Sequence, residues 1–282
     1  MEYVLRQSED IKYYDGMKNL MVFVKADYMD LGVELRKGDT DYSDNDKTIR
    51  FIKAQIENSI VLGWKPEDIV IATNFNVEHM GVKTYILDEI CDYSQFFHKQ
   101  YAVLELMQKG VLDTNIFYHD LDAFQLEKFE FPKFDGDWGT CVYPEVLGYD
   151  GHSCQCGVMY FKPSSIDIFD DLVGGMKKKV FGTHDDEVVI RNCVKLISKW
   201  VPWDHSHRVS VLNTRWNVGM TGFSARYSTA EKPIYVVHFH PDKEKEWNCM
   251  IEGENDLGVK VVDERLIKIL KKYNLQANNE KL

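Results

Sequence analysis

Two aspartates one residue apart, Asp120-Leu121-Asp122, follow the apolar run Thr114 to Tyr118 (TNIFY) with only His119 between. On an extended backbone, residues i and i+2 point the same way. Two carboxylates on one side of a strand end can hold a hard divalent cation, one directly and the other directly or through water. Such a cation can bridge the phosphates of a nucleotide-sugar and neutralise the charge that builds on a leaving diphosphate. A bare D-x-D is short, and most are solvated loop acids. The apolar strand in front of this one is what sets it apart.

A second candidate lies at Val236-Val237-His238-Phe239-His240. A single histidine after a buried strand reads most simply as a satisfied core residue. Two at i and i+2 face one way, and neutral imidazole is a common third ligand for manganese and similar ions. Either His238 or His240 can fill that role. Lys243 and Lys245 follow and could meet phosphate as point charges, or form a solvated turn. Asp185-Asp186-Glu187 opens a helical pattern, where acids either stabilise the helix start or serve as a catalytic base. Trp138 and Trp216 sit in Gly- or Asn-containing stretches; each is a sugar-stacking surface or a core residue.

The elements that must position these groups read as an alternation. Asn19 to Lys25 (NLMVFVK), Asp68 to Ala72, Val82 to Leu87 and Thr114 to Tyr118 are short apolar runs, the mark of strands buried on both faces. Thr48 to Leu62 carries Ile49, Ile52, Ile56 and Ile60 at helical spacing and ends at Gly63. Ser94 to Gln108 is a second helix, closed by Gly110. The pattern predicts an α/β fold with a mixed, mostly parallel central sheet flanked by helices. Ligands in such sheets bind at the carboxyl ends of strands, where Asp120 and Asp122 fall. Further strands are predicted at Gly139 to Tyr143, Cys156 to Phe161 and Ile234 to His240. Further helices are predicted at Ile166 to Lys178, Asp186 to Ile197 and Val262 to Tyr273. The 282 residues suit one domain, with a nucleotide-binding half at about 19–125 and an acceptor half at about 126–250.

Composition narrows the partners. The net charge of -11 disfavours an extended nucleic-acid surface, and Lys177-Lys178-Lys179 reads as a solvated helix end. The six cysteines form no CxxC pair, so all read as reduced, mostly buried thiols in a reducing compartment. The first residues lack the charge and apolar pattern of a signal peptide, and no run of about 18 apolar residues exists. The expectation is a cytoplasmic, soluble chain without a membrane span; the oligomeric state is open.

Taken in order, the pieces resemble the GT-A class of nucleotide-diphospho-sugar glycosyltransferases, most of all its glycogenin-like retaining family. That family carries a D-x-D after an apolar strand, here Asp120-Leu121-Asp122. Its strand N-S-G-V-x-x-x-x-P-S is similar to Gln155-Cys156-Gly157-Val158-Met159-Tyr160-Phe161-Lys162-Pro163-Ser164, and its D-Q-x-x-L-N to Asp186-Glu187-Val188-Val189-Ile190. Its V-V-H-F-x-G-x-x-K-P-W is similar to Val236-Val237-His238-Phe239-His240-Pro241 followed by Lys245-Glu246-Trp247. The resemblance implies a GT-A-like domain that moves a sugar from a nucleotide-diphosphate sugar, UDP-linked by preference, to a glycan or other hydroxyl acceptor. It implies Mn²⁺ or Mg²⁺ held by Asp120, Asp122 and His238, with Lys245 on the diphosphate. Val24, Lys25, Ala26 and Tyr28 would line the nucleobase pocket, and Lys99 would lie near the donor. Asp186, Glu187 and Gln155 would lie at the transferring sugar; apart from the resemblance, Trp216 is read from its own loop as the residue that faces the acceptor. Gln155 and Glu187 replace the family's Asn and Gln, and the late motif has one extra residue and lacks its Gly and Pro, which leaves retention or inversion open.

Other readings share parts of this pattern. A nucleotidyltransferase or metal phosphohydrolase also places carboxylates at strand ends, but the former calls for a glycine-rich phosphate loop that KADYMDLGVELRKG lacks. A non-catalytic sugar- or nucleotide-binding module of the same fold, or a transferase acting on modified DNA bases, would keep much of the same sequence.

Overall fold

Short apolar runs line up as the inner strands of one sheet because each is covered on both faces. The computed structural model describes residues 13–25, 45–91, 94–143, 153–181, 186–193, 205–219, 222–239 and 244–275. In chain order the elements are β1 (Met17–Val22), α1 (Asn45–Val61), β2 (Ile69–Thr73), β3 (Glu78–His79), β4 (Val82–Ile86), α2 (His98–Gln108), β5 (Asn115–His119) and β6 (Ala123–Gln125). There follow β7 (Trp138–Tyr143), β8 (Ser153–Phe161), α3 (Ile166–Lys177), α4 (Asp186–Cys193), β9 (Val209–Leu212), β10 (Val218–Gly219), α5 (Phe223–Thr229), β11 (Val236–His238), α6 (Glu244–Glu252) and α7 (Glu264–Lys272).

Among the described residues eight strands form one sheet in the order β3-β4-β2-β1-β5-β8-β7-β9, and β10-β11-β6 form a second. β1 runs parallel to β2 and β5, and β2 parallel to β4. Beyond β5 the direction changes: β8 is antiparallel to β5 and to β7, while β9 is parallel to β7. This is the mixed, largely parallel sheet the sequence predicts, joining strands from both halves of the chain.

Alternate residues of the central strands feed two cores. Met21, Ile71, Phe117 and Tyr160 pack with α1, α7 and the small sheet, through Ile52, Ile56, Leu266, Ile269, Val236 and Val237. Leu20, Ala72, Tyr118 and Met159 pack with α2, α3 and α4, through Val103, Leu106, Phe169, Leu172 and Ile190. Phe117 is central to the first core: it stacks on Tyr160 with centroids 5.3 Å apart and meets Phe129 edge-on at 5.0 Å.

The boundaries differ from expectation where partners run out. β11 begins at Val236, two residues after the predicted Ile234, and the predicted end at His240 lies outside the described residues. Past β1, Lys25 leaves the ladder and is held by a side chain: its N–H donates to Asn74 Oδ1 at 2.9 Å and its carbonyl accepts from Asn74 Nδ2 at 2.5 Å. The helix beginning at Asp186 is described as far as Cys193, and the rest of the predicted Asp186 to Ile197 lies outside the described residues. Trp138 begins a strand and stacks on Phe169 at 5.1 Å, so it is a core residue. Lys177, Lys178 and Lys179 are exposed at the end of α3. Among the described cysteines, Cys91, Cys141 and Cys156 are buried free thiols and Cys249 is a half-buried one. No helix among the described residues is long and apolar enough to cross a membrane.

Candidate active site

The two aspartates occupy the turn that joins the large sheet to the small one. Asp120 N–H donates to Gly157 O at 2.8 Å, which extends the pairing of β5 with β8 by one residue. Ala123 N–H donates back to Asp120 O at 3.0 Å and closes the turn into β6. Leu121 is buried in the core on the α1 side. Its carbonyl would be stranded there, but Gln55 on α1 donates Nε2 to Leu121 O at 2.7 Å and to Ala123 O at 2.9 Å. Buried backbone groups need such partners, and a helix amide thereby fixes the turn that carries both carboxylates. Asp122 O accepts from Phe239 N–H at 2.9 Å, tying the turn to the end of β11.

β11 delivers the imidazole. His238 pairs with Ala123 across the small sheet, and its Nε2 lies 3.2 Å from Asp122 Oδ1. The ring passes directly over Gly157. A Cβ at that position would fall 2.1 Å from His238 Cε1 and 3.0 Å from Asp120 Oδ2, so only glycine fits. One donor atom each from Asp120, Asp122 and His238 lies within 4.8 Å of the others. Ligands about 2.0–2.6 Å from a divalent ion sit at most about 4–5 Å apart, so these three residues are close enough to bind one.

Lys99 of α2 crosses the floor of the site. Its ammonium lies 2.9 Å from Asp186 Oδ2, 3.5 Å from Asp120 Oδ1 and 3.3 Å from Cys156 O. Burial alone would lower its pKa, but Asp120 and Asp186 hold it well above the ordinary lysine value. Burial would raise Asp120; Lys99 and His238 outweigh it and keep the carboxyl below its usual range. For His238, burial pulls down while Asp122 and then Asp120 prevail and raise it. For His119 burial prevails: it pushes the ring down to about 4 although Asp120 and Asp122 act to raise it, and its Nδ1 lies 3.0 Å from Asp120 O. Three carboxylates against one ammonium leave two negative charges when His238 is neutral, a balance that suits a divalent cation.

Asp120, Asp122, His238, Lys99 and Asp186 thus form one connected cluster. Glu187 lies half-buried in the first turn of α4, beside Asp186. Gln155 lies in β8, its carbonyl accepting from Thr140 Oγ1 at 2.8 Å. Val24 is buried in the α2-side core, and Lys25 is exposed at the end of the first strand. Ala26, Tyr28, Asp185 and His240 lie outside the described residues, as does the side chain of Lys245. Trp216 is not an open stacking surface: it packs against Tyr235 at 4.4 Å, Tyr160 at 5.2 Å and Phe129 at 5.3 Å in the first core. The apolar neighbours that enclose it come from β6–β8 and β11 flanks, which its local sequence does not reveal. Gln55 and Tyr118 also belong to the site, although their positions in the sequence do not single them out. The signal for Tyr118 was its i−2 spacing from Asp120; for Gln55 it was an amide beside the isoleucine stripe of α1.

No protein-family model matches the chain, and the search of curated proteins finds no match. Solved structures that align with the chain include the galactosyltransferase LgtC in complex with donor and acceptor sugar analogues, at 11% identity over 91% of this chain and 96% of that one, TM-score 0.48. A glycosyltransferase involved in glycosylation of the major capsid of PBCV-1 aligns at 10% identity over 79% of this chain and 92% of that one, TM-score 0.48. The glycosyltransferase GlyE of Streptococcus pneumoniae aligns at 12% identity over 93% of this chain and 61% of that one, TM-score 0.49.

Two outcomes follow from the geometry. Gly157→Ala should displace the His238 ring and weaken Mn²⁺ binding by about tenfold or more; calorimetric titration matching wild type would show that the ring is not confined there. Metal binding requires neutral imidazole, and the His238 pKa lies above the ordinary 6.5. Mn²⁺ affinity should therefore fall on acidification, with the decline beginning above pH 6.5; a flat profile from pH 8 to 6 would contradict the ligand assignment.

Proposed function

We propose that the chain is a metal-dependent glycosyltransferase that moves a sugar from a nucleotide-diphosphate sugar, UDP-linked by preference, to a hydroxyl acceptor. The observation that carries this reading is the convergence of Asp120, Asp122 and His238 at the carboxyl end of a parallel strand, where α/β sheets bind ligands. The resemblance of four ordered motifs to GT-A enzymes supports it. Mn²⁺ or Mg²⁺, when bound by these three residues, would bridge to the diphosphate and offset the charge on the leaving group.

The chain's own groups have separate tasks in this reading. Lys99 brings a fixed positive charge beside the metal-binding carboxylates, in a setting where such charges act more strongly than in water. Asp186 is committed to Lys99 at 2.9 Å, which suits orienting sugar hydroxyls rather than collecting a proton. Glu187 is the better candidate for a base in an inverting reaction, and a retaining reaction would use the same pair for positioning. Val24, Lys25, Ala26 and Tyr28 would border the nucleobase, Gln155 the donor sugar and Lys245 the phosphates. Trp216, enclosed in the core, has no part in the reading.

The test is thermal stability with UDP, GDP, CMP and dTDP, each with and without Mn²⁺, because a ligand that binds only the folded state raises its stability. UDP should stabilise the chain most, and only with metal. Asp122→Asn should melt near wild type without metal and lose both the metal-dependent stabilisation and sugar transfer. Stabilisation by no nucleotide, or unaltered turnover in Asp122→Asn, would overturn the reading.

A further inference from the structure

A carboxylate at a metal site has two oxygens, and which of them is available decides how it binds. Through one oxygen it suits a small, octahedral cation; through both it suits a larger ion with six to eight ligands, such as Ca²⁺. At Asp120 the two oxygens have different surroundings. Tyr118, two residues earlier on β5 and therefore on the same side of the strand, is fully buried, and its hydroxyl donates to Asp120 Oδ1. Lys99 approaches the same oxygen at 3.5 Å. Oδ2 lies on the other side, against Gly157, where a Cβ would meet both it and the His238 ring. One oxygen is thus held from the protein interior and the other faces the imidazole.

We infer that Tyr118 is a positioning residue that sorts the oxygens of Asp120, reserving Oδ1 for its own hydroxyl and presenting Oδ2 alone to the cation. This inference rests on the metal-site reading above. The site then discriminates against Ca²⁺, because Asp120 cannot close on the ion with both oxygens while Tyr118 holds one. Tyr118 acts through Asp120 and touches no substrate. Partners of this kind typically change metal affinity by about 10–100-fold when removed.

The experiment is calorimetric titration of Mn²⁺ and Ca²⁺ into wild type, Tyr118→Phe and Tyr160→Phe, with unfolding of each measured in EDTA. Tyr160 is a buried tyrosine of the neighbouring strand β8 whose hydroxyl has no hydrogen bond among the described residues, and it serves as the packing control. Tyr118→Phe should weaken Mn²⁺ by about tenfold and leave Ca²⁺ unchanged or tighter, so that the preference for Mn²⁺ shrinks; Tyr160→Phe should leave both affinities as they are. Equal losses for both ions in Tyr118→Phe would mean a general loosening and would overturn the inference, as would no change in either. Wild type that binds no Mn²⁺ would overturn the metal reading and this inference together, whereas wild-type binding with an unaltered variant overturns this inference alone. A crystal structure of Mn²⁺-loaded wild type tests the same point if the variant does not fold. Metal on Oδ2 with Tyr118 still on Oδ1 is the expected result, and metal on both oxygens with Tyr118 displaced contradicts it.

Discussion

Three carboxylates share the end of β5 with a single ammonium, and much of the surrounding structure serves to hold them there. Like charges brought together out of bulk water repel, and an opposite charge set between them offsets that cost. Lys99 is that charge for two of them, drawn from α2 across to Asp186 at 2.9 Å and Asp120 at 3.5 Å. His238 stands beside the third at 3.2 Å from Asp122. The excess negative charge left over is a standing attraction for a divalent cation, and it is localised where a parallel strand ends and the chain turns from one sheet to the other.

The backbone is arranged to make that crowding geometrically defined. The turn between β5 and β6 is bound on each side: to β8 through Gly157, to the small sheet through Phe239, and to α1 through Gln55. α1 is itself held by α7, where Arg265 reaches Leu126 O at 2.8 Å and the side chain of Asn58. The C-terminal helix thus acts on the site through α1 and the strand that follows the aspartates. The small sheet matters because it brings His238, distant in sequence, opposite Ala123. A site built on strands and supported by buried hydrogen bonds is held more narrowly than one on loops.

The aspartates were legible in the sequence because their signal is local: an apolar strand followed by two acids at spacing two. The strand that ends at His238 was legible for the same reason, although the residues alone left His238 and His240 open and the family resemblance chose between them; so was the parallel half of the sheet, whose strands are continuous apolar runs. What the sequence could not convey depends on contacts between distant segments. The three residues of β6 carry no periodicity long enough to read, so neither does their pairing with β11. Gly157 stood inside a recognised motif, but that a histidine from some eighty residues later lies on its face emerges only from the fold. Trp216 shows the converse: its Asn- and Gly-containing neighbourhood reads as an open loop, while Tyr160, Phe129 and Tyr235 enclose it from elsewhere.

The central claim is that the cation joins this carboxylate cluster to a nucleotide diphosphate, and thermodynamic linkage tests it most directly. UDP affinity measured with and without Mn²⁺, and Mn²⁺ affinity measured with and without UDP, must change by one common factor if the two ligands are coupled. The account predicts a mutual enhancement of about tenfold or more, equivalent to about 1.4 kcal/mol. UDP and Mn²⁺ binding independently of each other would contradict it.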